Sequence, residues 1–153
     1  MLVRVMEEAF DPQAETAAFV SGRDDAGALA SFVGYCRAAT DGADVSELRI
    51  DHYPGFTERE IARLAQDIHQ RFGCLDLAVI HRVGKIRPGD AIVLVAALAT
   101  HRGDAFEAVR ILMDYLKTDA PLWKKESGPA GARWIEPRAE DHVRRQQAGK
   151  EVA

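Results

Sequence analysis

The stretch Ala91–Glu126, AIVLVAALATHRGDAFEAVRILMDYLKTDAPLWKKE, decides the fold. From Ala91 to Thr100 it is apolar at odd and even positions alike, which a strand tolerates only when both of its faces are covered. A central place in a sheet is expected for it. Ala105, Val109, Leu112 and Leu116 then recur at helical spacing, and Pro121 ends that helix. Asp104, with Glu107 three residues later, reads as a capping box. Leu122 to Glu126 follows as a short strand. The cations of this strand–helix–strand unit fall at set places: His101 and Arg102 before the helix, Lys117 in its last turn, Lys124 and Lys125 beyond it. Arg102 thus sits near a helix N-terminus, where unpaired backbone N–H groups already favour a phosphate or carboxylate. Cations placed in this way suit an anionic ligand.

Working outward, Leu2 to Met6 reads as an opening strand, Pro12 to Ser21 as a helix, Arg23 to Gly27 as a turn and Ala28 to Cys36 as a second strand. Ala38 to Asp44 is a polar loop, and Val45 to Tyr53 alternates as a strand expected to pair back onto Ala28–Cys36. Thr57 and Glu60 read as a capping box for a helix whose Ile61, Leu64, Ala65, Ile68 and Phe72 form one apolar stripe. Leu75 to Arg82 is a strand, and GKIRPGD from Gly84 to Asp90 is turn chemistry. After Glu126 come a Gly128 to Gly131 turn and the strand ARWIE, Ala132 to Glu136. The tail from residue 139 to 153 is polar and reads as either a short exposed helix or disorder. Strands alternate with helices and no Rossmann or P-loop glycine pattern occurs, so the class is α+β or α/β with a mixed sheet.

With 153 residues, 47% of them hydrophobic and 29% charged, the chain suits a single globular domain. No apolar run approaches the ~18 residues that cross a bilayer, and MLVRVMEEAFDPQAE lacks an apolar signal core, so a cytoplasmic address is expected. A net charge of −4 argues against a general nucleic-acid binder. Cys36 and Cys74 have no CxxC spacing, which points to neither a disulfide framework nor a zinc site. Cys36 beside Arg37 has the pattern of a low-pKa thiol, yet the alternation through Phe32 to Arg37 makes it an ordinary strand residue. His52 and His81 fall on strands and read as structural, and no His or carboxylate cluster has metal-ligand spacing.

The segments FVGYCR (Phe32–Arg37), LRIDHYPGFTE (Leu48–Glu58), VIHRVGKIRPGD (Val79–Asp90), THRGDAFEA (Thr100–Ala108), MDYLKTDAPLWKKE (Met113–Glu126) and RWIEPR (Arg133–Arg138) lie in one collinear series. Together they resemble the catalytic (large) subunit of molybdopterin synthase over most of the chain. The resemblance implies an α+β, hammerhead-like fold with a mixed, largely antiparallel sheet, packed helices and a small β subdomain. It implies one catalytic-subunit domain over residues 1–138, followed by the polar tail. It also implies sulfur transfer to cyclic pyranopterin monophosphate from a small ubiquitin-like partner whose C-terminal Gly-Gly ends as a thiocarboxylate. The product is the dithiolene ligand of the molybdenum cofactor. A homodimer within a heterotetramer is implied, with no cofactor, metal, nucleic acid or membrane.

Residue by residue, the resemblance makes Lys117 the central catalytic residue and Lys124 the second lysine. A lysine acts as acid or base at neutral pH only when its pKa is drawn down, which a second cation and partial burial accomplish. Acid–base and covalent roles for Lys117 both stay open. Arg37, His101, Arg102 and Arg138 match substrate contacts, and the guanidinium fork suits a phosphate. Tyr35 and Cys36 beside Arg37, and Lys125 and Glu126 beside Lys124, complete the substrate-binding candidates. Strand alternation points Lys125 away from Lys124 and brings Glu126 back to its face, where it is placed to orient that lysine. Phe32 and Met113 serve equally well as pocket walls or as core.

From Arg102 to Lys117 is fifteen residues, ~22 Å along an unbroken helix. If both belong to one small-molecule site, a second copy of the chain must supply one of them. The rival from another class is a non-catalytic module that uses the same cations to bind an anion, a nucleotide or a ubiquitin-like partner.

Overall fold

The computed structural model describes residues 1–150. Its elements run β1 (Leu2–Met6), α1 (Pro12–Val20), β2 (Ala28–Tyr35), β3 (Ala39–Thr40), β4 (Ala43–Asp44), β5 (Glu47–His52), α2 (Phe56–Phe72), β6 (Asp76–Arg82), β7 (Gly84–Ile86), β8 (Ala91–Ala99), α3 (Arg102–Thr118), β9 (Leu122–Gly128), β10 (Gly131–Ile135) and α4 (Ala139–Lys150). The main sheet has the order β1-β6-β8-β2, with β1 parallel to β6 and the other pairs antiparallel. The doubly apolar β8 is interior to it. Eight of its nine residues are buried, as a strand covered on both faces requires.

Helices α2 and α3 lie on one face of this sheet. The α2 stripe of Ile61, Leu64, Ala65 and Ile68 packs with Ala105, Ala108, Val109, Ile111 and Leu112 of α3 over Leu77, Val79, Val95 and Ala97. Each fully buried Leu or Ile contributes ~1.5–3 kcal/mol. Because α3 follows β8 directly and packs back along β8 and β2, its C-terminus returns toward the end of the sheet where β2 finishes. Gly27 sets the start of that return. Its N–H donates to the Ala99 carbonyl, and a Cβ built on it would run into the Thr100 carbonyl oxygen.

The second sheet, of order β10-β9-β5-β7, is the small β subdomain. Its inner face carries Leu48, Ile50 and Ile86, which close a second core with Cys36 and Val83. Here the expectation for Val45–Tyr53 fails. The strand β5 pairs with β7 and β9, not with β2, because those partners bury Leu48 and Ile50 in the second core. Part of the supposed Gly84–Asp90 turn is accordingly the strand β7, leaving Arg87–Asp90 as the turn, with Asp90 N–H donating to Arg87 O at 3.0 Å. The polar loop after Arg37 is a small β3–β4 hairpin that turns at Asp41 (φ 50°) and Gly42 (φ 80°).

Both capping boxes form differently from the sequence reading. Helix α2 begins one residue before Thr57, so Glu58 accepts the Gly55 N–H at 2.6 Å while Glu60 pairs with Arg63. The Thr57 hydroxyl instead accepts from Tyr53 N–H and donates to Pro121 O, tying the start of α2 to the end of α3. Helix α3 begins at Arg102, which makes His101 the N-cap, without a side-chain cap bond. Asp104 is then already inside the first turn, and Glu107 pairs with Arg110 at 2.8 Å.

Of the polar tail, residues 139–150 form α4, which lies on α3. Its Ala148 is fully buried in the main core. Arg145 bonds Asp119 at 2.7 Å and stacks 3.7 Å from the Tyr115 ring centre, and Arg71 donates to the Tyr115 hydroxyl at 2.6 Å. The last three positions of the tail, 151–153, lie outside the described residues.

Candidate active site

Pro121 stops α3 and turns the chain into β9 within a few residues, so Lys117 and Lys124 are brought to one place by a short, stiff connection. In β9, Lys124 is opposite Ile50 on one side and Ile135 on the other. It therefore shares the inner face of the second sheet and is half-buried. Burial first, and then the Lys117 charge, pull the Lys124 ammonium below its ordinary pKa, while the Asp141 carboxylate opposes them. The sequence reading expects the depression at Lys117, with Lys124 as the second cation; the structure puts it on Lys124, because that is the lysine the second sheet buries.

Lys117 projects from the last turn of α3, where its Nζ lies 3.4 Å from Asp141 Oδ1. Beside Lys124 is His81, at the end of β6. It is 3% exposed and shifted to about 4 by burial and then by the Lys124 charge. Its Nδ1 lies 2.7 Å from the Arg82 carbonyl oxygen, which requires the proton on Nδ1 and leaves the ring neutral. A neutral imidazole can lie beside the Lys124 ammonium without adding a further positive charge to the lysine pair.

The neighbouring residues divide by strand face. Lys125 points to the outer face, with its Nζ 5.4 Å from the Trp134 ring centre. Glu126 lies on the Lys124 face as alternation requires, but its carboxylate is occupied elsewhere. It accepts from Thr40 Oγ1 at 2.9 Å and pairs with Arg133 at 3.3 Å. Orientation of Lys124 by Glu126 is therefore not formed.

Arg37 is exposed just beyond β2, at the end of the sheet to which α3 returns. Arg138 is 65% exposed, with Asp41 at 3.8 Å. Tyr35 is exposed and lines a cleft of about 310 Å³ with Arg82 and Asp90. Cys36 is buried in the second core, and burial, then Glu126 and Asp90, push its thiol up. That is the environment of an inert thiol. Met113 packs against the main core, whereas Phe32 is 42% exposed on β2.

His101 and Arg102 stand apart, exposed at the other end of α3. The helix between them and Lys117 is unbroken over its 17 residues, so the ~22 Å separation holds. The residue missed by the sequence reading is Asp141, which the helical folding of the tail carries to Lys117. Its signal was Pro137 followed by Glu140 and Asp141, the pattern of a helix start with acids in the first turn. Among the described residues, no three His, Cys, Asp or Glu side chains come together as metal ligands.

Fold and side-chain placement together define a class: an α+β protein with a hammerhead-like pair of sheets that gathers two lysines where α3 gives way to β9. A family model described as MoaE protein matches residues 5–119, and the chain belongs to that family. It is 51% identical over 139 residues to the molybdopterin synthase catalytic subunit of Ralstonia nicotianae, spanning 91% of this chain and 79% of that one. Over 152 residues it is 48% identical to the molybdopterin synthase catalytic subunit of Caulobacter vibrioides, spanning 99% and 100%. The solved structure of the molybdopterin biosynthesis MoaE protein from Burkholderia ambifaria superposes with a TM-score of 0.81 at 42% identity, covering 97% of this chain and 99% of that one.

Proposed function

We propose that this chain is the catalytic subunit of a molybdopterin synthase, a sulfurtransferase of molybdenum cofactor biosynthesis. The observation that carries this reading is the facing pair Lys117 and Lys124, intact in a chain so similar to relatives of that name. A non-catalytic anion binder needs cations but has no use for a half-buried lysine whose proton is loosened by a second one.

In this reading the sulfur arrives as the terminal thiocarboxylate of a small ubiquitin-like subunit and passes to cyclic pyranopterin monophosphate in two rounds. Lys117, the more exposed of the two, meets the reacting groups and supplies proton transfer or covalent assistance. Lys124 holds positive charge beneath them in a site of low dielectric, where it acts more strongly than at a wet surface. Arg37 and Arg138, at the same end of the fold, receive the phosphate and pterin. His101 and Arg102 belong to the pocket of a second copy, so the working unit is a homodimer with shared sites, each protomer carrying one small subunit. The buried, unbridged thiols Cys36 and Cys74 suit a reducing cytoplasm.

The test is direct. Incubating the purified chain with a thiocarboxylated small subunit and cyclic pyranopterin monophosphate should yield the dithiolene product. No product from a folded chain and a competent donor would remove this reading.

A further inference from the structure

One carboxylate at the start of α4 joins two parts of the site. Asp141 is nearly buried, its side chain 10% exposed. Its Oδ2 accepts the Arg138 N–H at 3.0 Å, and its Oδ1 faces Lys117 Nζ at 3.4 Å. The first bond caps α4, as an acid in the first turn commonly does. The second contributes nothing to the helix. Lys117 is 47% exposed, so the ion pair stabilises the fold little, while burying the carboxylate costs desolvation. An acid kept at that cost beside a catalytic ammonium is better explained by its effect on the ammonium.

We propose that Asp141 is a positioning residue for Lys117: its carboxylate fixes the ammonium relative to the backbone of Arg138, so that lysine and pocket arginine keep one spacing. This deepens the proposed function and rests on it. The charged groups facing Asp141 are Lys117 and Asp114 from α3, Arg144 from its own helix and Lys124 from β9. Arg110 faces Asp114 at 3.5 Å, and His81 from β6 faces Lys124. Burial pushes Asp141 up, but the Arg138 N–H and Lys117 bring it below its ordinary value, so it is ionised at neutral pH. Its loss takes a counter-charge from Lys124, which then releases its proton at lower pH.

Asp141→Asn keeps an oxygen for the Arg138 N–H and removes the charge; Asp141→Gln, an amide suited to the third helical position, does the same should the Asn variant fold poorly; Asp141→Glu keeps the charge. Thermal melts select the folded variants. In the reconstituted sulfur-transfer assay the neutral variants should lose roughly tenfold or more in kcat, with the pH–rate profile moved downward. Asp141→Glu should recover much of the rate and the original profile. A neutral-variant profile that superimposes on wild type, or a glutamate variant no better than the neutral ones, overturns the proposal. NMR of the Lys117 side chain in the chain alone separates the two readings. A changed Lys117 Nζ resonance and greater side-chain mobility in Asp141→Asn uphold the positioning contact even if the wild type makes no product, and signals unchanged from wild type refute it even if the wild type is active.

Discussion

The two ends of α3 differ in almost every physical respect. At its C-terminus, Lys117 meets a buried carboxylate from α4 and a half-buried lysine from β9, which itself faces a neutral histidine from β6, with Tyr115 clamped between Arg71 and Arg145 nearby. At its N-terminus, His101 and Arg102 lie in solvent, the helix has no side-chain cap, and Phe106 is 64% exposed. One end is a furnished half-site held by several elements. The other is a set of cations and an aromatic ring left exposed among the described residues. A rigid helix that joins them fixes how far apart they stay, and the proposed shared site would have each end completed by the other end in a second copy.

The strongest way to break that comparison is to disable the ends separately. Lys117→Ala and Arg102→Ala should each abolish product formation; losing a positioned acid or base alone costs ~10²–10⁴-fold. Mixed under conditions of subunit exchange, the two inactive chains should form heterodimers with one wholly wild-type site, restoring up to about half the normal rate per dimer. If exchange is verified and no activity returns, the ends do not complete each other.

A second prediction probes how dry the furnished end is. His81 titrates at about 4 in the folded chain against 6.5 for a free imidazole, so the unfolded chain binds the proton more readily in between. Its contribution to stability is complete above 6.5 and is lost as pH falls toward 4, by up to ~3 kcal/mol. Urea melts across this window should show the slope, and His81→Asn, which keeps a donor for the Arg82 carbonyl, should flatten it. A wild type without a slope would mean that water reaches the floor of the site. The smallest effect is expected at the neighbouring lysine. Lys125→Ala should stay within roughly threefold of wild type, while Lys124→Ala approaches the loss at Lys117. Equal losses at 124 and 125 would erase the distinction between the two faces of β9.

Local patterns carried most of the fold. The apolar run of β8, the stripe of α2 and the spacing through α3 are short-range features, and each element formed where its period required. Pairing was not local. Residues 45–53 read correctly as a strand, but only the gathering of Leu48, Ile50, Val83 and Ile86 selects β7 and β9 as the partners of β5. Helix starts slipped because Gly55, at φ 80°, can serve as an N-cap without a side chain, and a Thr two residues on looks like the better one. The site was legible where its parts lie close in the chain, as Lys117 and Lys124 do. The start of α4 at Asp141 had a local signal and His81 read as a strand residue, but their placing beside Lys117 and Lys124 comes only from the packing of α4 and the end of β6.

Gly27 gives the arrangement a mechanical side. The chain leaves β8 through Thr100, whose carbonyl lies where a side chain at position 27 would have to go. Any larger residue there must push the hinge from which α3 departs. Over a lever of about 22 Å, a tilt of only ~3° displaces the far end by ~1 Å, and an error of that size at a reacting group can slow chemistry a hundredfold. A close tolerance is therefore set at a hydrogen atom on Gly27, a helix length away from the lysine it keeps in aim.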